Sequence, residues 1–207
     1  MGKAKKKVKK TRYISPEGYS EMYFIEFLRD LYECDKNNII IAMPKTPPGG
    51  NPDVIIAGAL KSNHYDYSLA FLDEDKEIDI KSDYNTIFQL KKCWLNDDVN
   101  IDIPLRNLQE LNIRKRKPIL IVSQPVMFEG FMIRILGKKL PELKTPFTDM
   151  ECAKYNKHVL KSAFKGIIHN TGRENEIEFY KNNLTINYLE QKAKEIPELA
   201  LLLAAFK

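Results

Sequence analysis

The stretch that most constrains this chain is Tyr65-Asp66-Tyr67-Ser68-Leu69-Ala70-Phe71-Leu72-Asp73-Glu74-Asp75. It rises through aromatic and aliphatic residues and stops at three consecutive carboxylates. An apolar run of this length, bounded by polar residues, reads as a strand buried on both faces, as in a parallel sheet. Ligand sites in open parallel sheets lie beyond the carboxyl ends of the strands. Three acids crowded there repel one another, and a hard divalent cation is the simplest counter-charge. The plainer alternative is that Asp-Glu-Asp-Lys-Glu opens a solvated loop.

The flanking segments supply the partners such a strand needs. Lys9 to Ile14 reads as a first strand, closed by the turn Ser15-Pro16-Glu17-Gly18. From Tyr19 to Cys34 the apolar residues Tyr23, Phe24, Phe27, Leu28 and Leu31 fall at helical spacing. Ile39 to Met43 reads as a second buried strand. The loop from Pro44 carries Gly49-Gly50, which could offer backbone amides to a phosphate or simply turn the chain. Asn51 and Pro52 then start a largely apolar helix running to about Ser62. Helices follow at Tyr84–Trp94 and Pro104–Leu111, and a fourth strand at Pro118–Val122. A further helix after Ser123-Gln124-Pro125 ends at Gly137. This alternation predicts an α/β fold: a mostly parallel four-stranded sheet with helices on both faces. Beyond a proline-containing loop at 138–148, helices opening at Thr148 and Thr171 predict a helical C-terminal part without strands. The expected division is a basic tail over 1–10, an α/β body over 11–137, and the helical part over 138–207 packed on that body.

Charge is distributed unevenly. Six of the 33 lysines and arginines lie within residues 1–10, and without them the balance is 27 basic to 28 acidic. Lys5, Lys6, Lys7, Lys9 and Lys10, with Arg12 just beyond, form the candidate nucleic-acid contact; a solubilising tail is the alternative. No apolar stretch follows those charges, so they do not read as a secretory signal. No segment approaches the roughly 18 apolar residues that would span a membrane. Cys34, Cys93 and Cys152, like His64, His158 and His169, are isolated. They suggest neither a disulfide framework nor a zinc site, and a reducing cytoplasm fits.

With the first and third strands as neighbours, Glu17, Asp73 and Asp75 converge at one sheet edge. A strand ending in Glu-Gly, followed by an apolar strand ending in Asp-x-Asp, resembles the Toprim domain of topoisomerases, primases and some nucleases. Within that superfamily the chain is most similar to the RloB-like proteins associated with bacterial restriction loci. The similar pieces are the lysine-rich N-terminus, Ser15-Pro16-Glu17-Gly18 with Ser20-Glu21 and Tyr23-Phe24, Gly49-Gly50-Asn51-Pro52, Leu72-Asp73-Glu74-Asp75, and Ser123-Gln124-Pro125 with Phe128-Glu129. Two spacings depart from the family, one after Glu17-Gly18 and one before Phe128. They bear on the accessory candidates Glu21 and Glu129, while Glu17, Asp73 and Asp75 match.

The resemblance implies magnesium- or manganese-dependent phosphodiester hydrolysis on DNA or RNA, in bacterial anti-phage defence beside a partner protein. Glu17, Asp73 and Asp75 would be both the catalytic set and the metal ligands, with Gly18, Glu21, Ser123 and Glu129 accessory. Glu17 could act as general acid or base. Gly18 would leave the backbone bare for a phosphate. The alternative function is a nucleic-acid or protein-binding module of the same fold without independent catalysis. Glu129 lies either on an exposed stripe or toward the site. Lys154, Lys157, Lys161 and Lys165, at helical spacing, form either a basic stripe for a nucleic-acid backbone or a solvated face.

Overall fold

The computed structural model describes residues 9–49, 54–55, 58–59, 62, 65–73, 119–123, 127–145 and 149–207. Its elements are β1 (Lys10–Pro16), α1 (Tyr19–Leu31), β2 (Ile39–Ala42), β3 (Tyr67–Asp73), β4 (Ile119–Ser123), α2 (Phe128–Ile135), α3 (Met150–Ile168), α4 (Arg173–Asn183), α5 (Ile186–Ala193) and α6 (Pro197–Ala204). The predicted helices at Tyr84–Trp94 and Pro104–Leu111 lie outside the described residues.

The strands form one parallel sheet in the order β2-β1-β3-β4. Asp73 pairs with Ser123, so β3 and β4 end level, while Pro16 pairs with Phe71 and β1 stops two residues short of them. Side chains alternate across a strand. Ile14, Leu69 and Phe71 therefore share one face, and all three are fully buried in a cluster with α1, α2 and the C-terminal helices. Aromatic rings tie that layer together: Phe71 meets Phe131 edge-on at 5.7 Å, and Phe24 meets Tyr180 at 5.3 Å. Each such ring contributes about 1.5–3 kcal/mol by leaving water. On the opposite face Ser15, Ala70 and Leu72 are buried. Gly58, in a helical stretch, approaches so closely there that a Cβ would lie 3.4 Å from Ser15 Oγ.

Three expectations need correction. The second strand is not buried on both faces: β2 is an edge strand, with Ile39 and Ile41 inside and Ile40 39% exposed. The first helix stops at Leu31 instead of reaching Cys34, because Glu33 turns to φ 47°. Its amide then bonds Asp30 O and the Cys34 amide bonds Arg29 O, which closes the last turn. Finally, the basic tail does not extend through residue 10: Lys10 pairs with Ile39 as the first residue of β1.

The remaining boundaries follow local chemistry. α2 ends where Gly137 takes φ 66°, with its amide on Arg134 O and the Lys138 amide on Ile133 O. α3 starts at Asp149, whose carboxylate accepts from the amides of Glu151 and Cys152 at 3.1 and 2.9 Å. Leu160, Phe164 and Ile168 recur at helical spacing and bury α3 against the core, with Phe164 edge-on to Phe128 at 6.3 Å. The same core continues through Tyr180, Leu189 and Leu202, so α3 to α6 share the hydrophobic cluster of the sheet. Among the described residues no helix is long and apolar enough to cross a membrane.

Candidate functional site

Because β1 and β3 are parallel neighbours in register, their carboxyl ends deliver Glu17 and Asp73 to the same place. The Asp73 backbone amide donates to Glu17 Oε2 at 3.0 Å. Asp73 itself is only 6% exposed, and its Oδ1 accepts from the Phe128 amide at 2.8 Å. That amide opens α2, so the strand-end carboxylate sits on a helix N-terminus, where the unsatisfied N–H groups favour negative charge. Ser123 pairs with Asp73 in the sheet, which brings its backbone to the same edge. Asp75 lies outside the described residues, as do Gly50, Asn51 and Lys5, Lys6 and Lys7.

Around these two acids lies a pocket of about 340 Å³, walled by the start of α1, the start of α2 and the middle of α3. Glu21 belongs to its wall and is almost fully buried. It shares the apolar face of α1 with Phe24, Ile25 and Leu28. Burial pushes its carboxyl up to about 8. Its own backbone amide and that of Gly18 oppose the rise, while repulsion from Glu129 and Glu17 adds to it. Glu21 is therefore mostly protonated at neutral pH. Glu129, half-buried in the first turn of α2, points into the pocket rather than onto an exposed stripe. Burial raises its carboxyl too; its own amide, Lys161 and Lys157 pull the other way.

Gly18 has a different job from the one its sequence context implies. Its φ of −132° is open to any residue. A Cβ, however, would lie 2.9 Å from Glu21 Oε2. The space beside this backbone is occupied by the Glu21 carboxylate instead of standing open for a phosphate. Gly49, at φ 60°, also lines the pocket.

The positive charge at the site comes from the C-terminal half. Lys157 and Lys161, one turn apart on α3, line the pocket together with the acids. The buried residues Leu160 and Phe164 of the same helix fix their position. The basic residues near the N-terminus are elsewhere. Lys9, Lys10 and Arg12 lie at the amino end of β1 and its approach, about 15–25 Å from Glu17 at roughly 3.3 Å per residue. They do not join the pocket.

A further buried acid was not singled out by its sequence context. Glu176 of α4 is 2% exposed and accepts from the Gly172 amide at 3.1 Å, from Tyr180 Oη at 3.2 Å and from Ser20 Oγ at 3.4 Å. Burial, and then the Glu176 charge, push the Tyr180 hydroxyl well above its ordinary range. The Ser20 contact links α4 to the first turn of α1, and Ser20 itself lines the pocket. Nothing in the sequence of α4 marks Glu176 out from its other acids Glu174 and Glu178.

The donor set consists of hard carboxylate oxygens. Among the described residues, no group of three or more acidic, histidine or cysteine side chains is placed to hold a metal ion. Magnesium commonly takes one or two protein carboxylates and fills its remaining positions with water and substrate phosphate. Glu17 and Asp73 match that lesser requirement in number and donor type. Compared with known protein families, curated proteins and solved structures, the chain finds no match.

Proposed function

We propose that the pocket is the active site of a Toprim-type, magnesium-dependent phosphodiesterase acting on DNA or RNA. The observation that supports it most is the Glu17–Asp73 pair at the carboxyl ends of adjacent parallel strands, in a pocket that two lysines also line. A phosphodiester needs both signs of charge around it. Acids hold a divalent ion and accept a proton, and cations balance the non-bridging oxygens. When bound, the metal would supply Lewis-acid polarisation of the phosphate and a more acidic water.

The chain's own residues divide the remaining work. Glu17 would take a proton from the attacking water, whose oxygen bonds to phosphorus as the P–O ester bond breaks. Glu21, protonated at neutral pH, is a proton source within the same pocket for the departing oxygen. Lys157 and Lys161 hold the phosphate against the acid wall. The resemblance further implies anti-phage defence with a partner protein, and the binding module without catalysis is the competing outcome.

The test uses magnesium and manganese titrations of thermal stability, together with cleavage of labelled DNA and RNA oligonucleotides. A metal that binds the folded site raises the unfolding midpoint by mass action. The expected result is a midpoint shift and metal-dependent cleavage, both lost in Asp73→Ala. Asp73→Asn separates charge from geometry, because its amide oxygen can still accept from the Phe128 amide. No shift with either metal, and no cleavage of any substrate, would leave only the binding module.

A further inference from the structure

At the rim of the pocket an aromatic side chain stands in solvent. Tyr19, the first residue of α1, is 55% exposed and still lines the pocket beside Glu17 and Gly18. An exposed tyrosine on a helix is ordinarily unremarkable, since single exposed apolar residues are common on protein surfaces. Here it is backed by a second ring: Tyr23, one turn on, lies 6.0 Å from it at an interplanar angle of 34°. Tyr19 stays more than half exposed despite this partner, and Lys157 and Lys161 line the same pocket.

An aromatic face next to paired cations is the chemistry that recognises an unstacked nucleotide. A base can stack on tyrosine only after it leaves its own helical stack, whereas in a duplex its faces are covered by neighbouring pairs. Lysines supply the matching contact to the phosphate and carry no sequence information. The pocket's size agrees. About 340 Å³ has room for a phosphate with an adjoining sugar.

On this basis we infer that the site selects single-stranded nucleic acid, or a frayed end, by stacking one base on Tyr19 while Lys157 and Lys161 hold the adjacent phosphate. The inference rests on the phosphodiesterase reading and narrows its substrate class. Its binding half can be tested without any catalysis.

The experiment measures fluorescence anisotropy of the full chain with labelled oligo-dT, oligo-U and a blunt DNA duplex. Binding is read in EDTA across a salt series, and cleavage is read separately with magnesium. Single strands should bind at least about tenfold more tightly than the duplex. Tyr19→Ala should lose roughly tenfold in single-strand affinity, the scale of one base stack, and Tyr19→Phe should keep it. Lys157→Ala and Lys161→Ala should each lower the slope of log affinity against log salt by about one. The two oligonucleotides separate DNA from RNA. Equal binding of duplex and single strand, with Tyr19→Ala unchanged, would overturn the inference. If magnesium-dependent cleavage of duplex then persists, the phosphodiesterase reading survives it. If nothing binds and nothing is cleaved, both fall. Because Tyr19 is exposed, its substitution leaves the fold intact, and the metal-dependent midpoint shift serves as the internal control.

Discussion

The sheet edge and the C-terminal helices serve one pocket by different means. Asp73 and Glu17 are held by backbone groups: the Phe128 amide grips Asp73, and the Asp73 amide grips Glu17. Those amides are placed by strand register and a helix start, which tolerate little displacement. Lys157 and Lys161 sit instead on long stems whose positions depend on how α3 packs through Leu160 and Phe164. The acids are thus fixed locally and the cations through the shared hydrophobic core. This is a sensible division for phosphate chemistry. Carboxylates that hold a metal and direct a proton need defined geometry, whereas a lysine offers a mobile point charge.

Loosening α3 is the strongest way to break that comparison. Phe164 is 3% exposed and packs edge-on to Phe128. Phe164→Ala should lower the unfolding free energy by about 3–5 kcal/mol, measured by urea denaturation. In the molecules that remain folded, the magnesium-dependent midpoint shift should persist while oligonucleotide affinity falls. Should the alanine variant fail to fold, Phe164→Leu creates a smaller defect with the same expected ordering. Parallel loss of metal response and oligonucleotide binding would show that the acids, too, depend on α3.

A second test acts on the acid wall alone. Burial holds the Glu21 carboxyl at about 8 against an ordinary 4.5. Between those values the folded protein binds more protons than the unfolded chain, so stability falls as pH rises from about 4.5 to about 8. Below that window both states are protonated and the penalty vanishes; above it the penalty is complete. Glu21→Gln keeps an oxygen to accept from the Gly18 amide and removes the ionisation. The variant should therefore match the parent at pH 4 and exceed it in thermal midpoint at pH 8. A parallel pH profile for both proteins would mean that Glu21 does not carry the buried charge. The lysine side should be blind to this substitution, with the salt slope of oligonucleotide binding unchanged.

How far the sequence anticipates this arrangement follows the same division. Glu17 and Asp73 were legible because a strand-ending acid in a parallel sheet has only one edge to occupy. Gly137 was legible because a helix end has its own local chemistry, whereas the helix expected to open at Thr148 is capped by Asp149. Glu21 stood out as an acid beside a family-like motif, and its place on the face of Phe24, Ile25 and Leu28 was a readable sign of burial. Lys157 and Lys161 were ambiguous: a lysine row at helical spacing looks the same whether it faces water or a pocket, and only the docking of α3 decides. Glu176 was not legible, since its partners Ser20 and Gly172 come from distant or irregular segments. The N-terminal lysines attracted notice by number, yet the direction of β1 carries those that are described away from the site.

The smallest expected effect concerns Gly18, where two physical accounts of one glycine diverge. If the residue is glycine so that a phosphate can approach the backbone, Gly18→Ala should weaken oligonucleotide binding directly and leave Glu21 alone. In the structure the room is taken by Glu21: a Cβ would fall 2.9 Å from Oε2, and the backbone at φ −132° accepts alanine without strain. The intruded atom is the end of a flexible carboxylate, so the side chain can shift by a few tenths of an ångström instead of forcing the helix apart. Stability should change by no more than about 0.5 kcal/mol. The measurable consequence should appear in titration, because displacing the carboxyl weakens its bond from the Gly18 amide, one of the contacts that favours the ionised form. The fall of stability with pH should therefore be steeper, or reach to higher pH, in Gly18→Ala than in the parent. An unchanged pH profile combined with weaker oligonucleotide binding would return Gly18 to the phosphate.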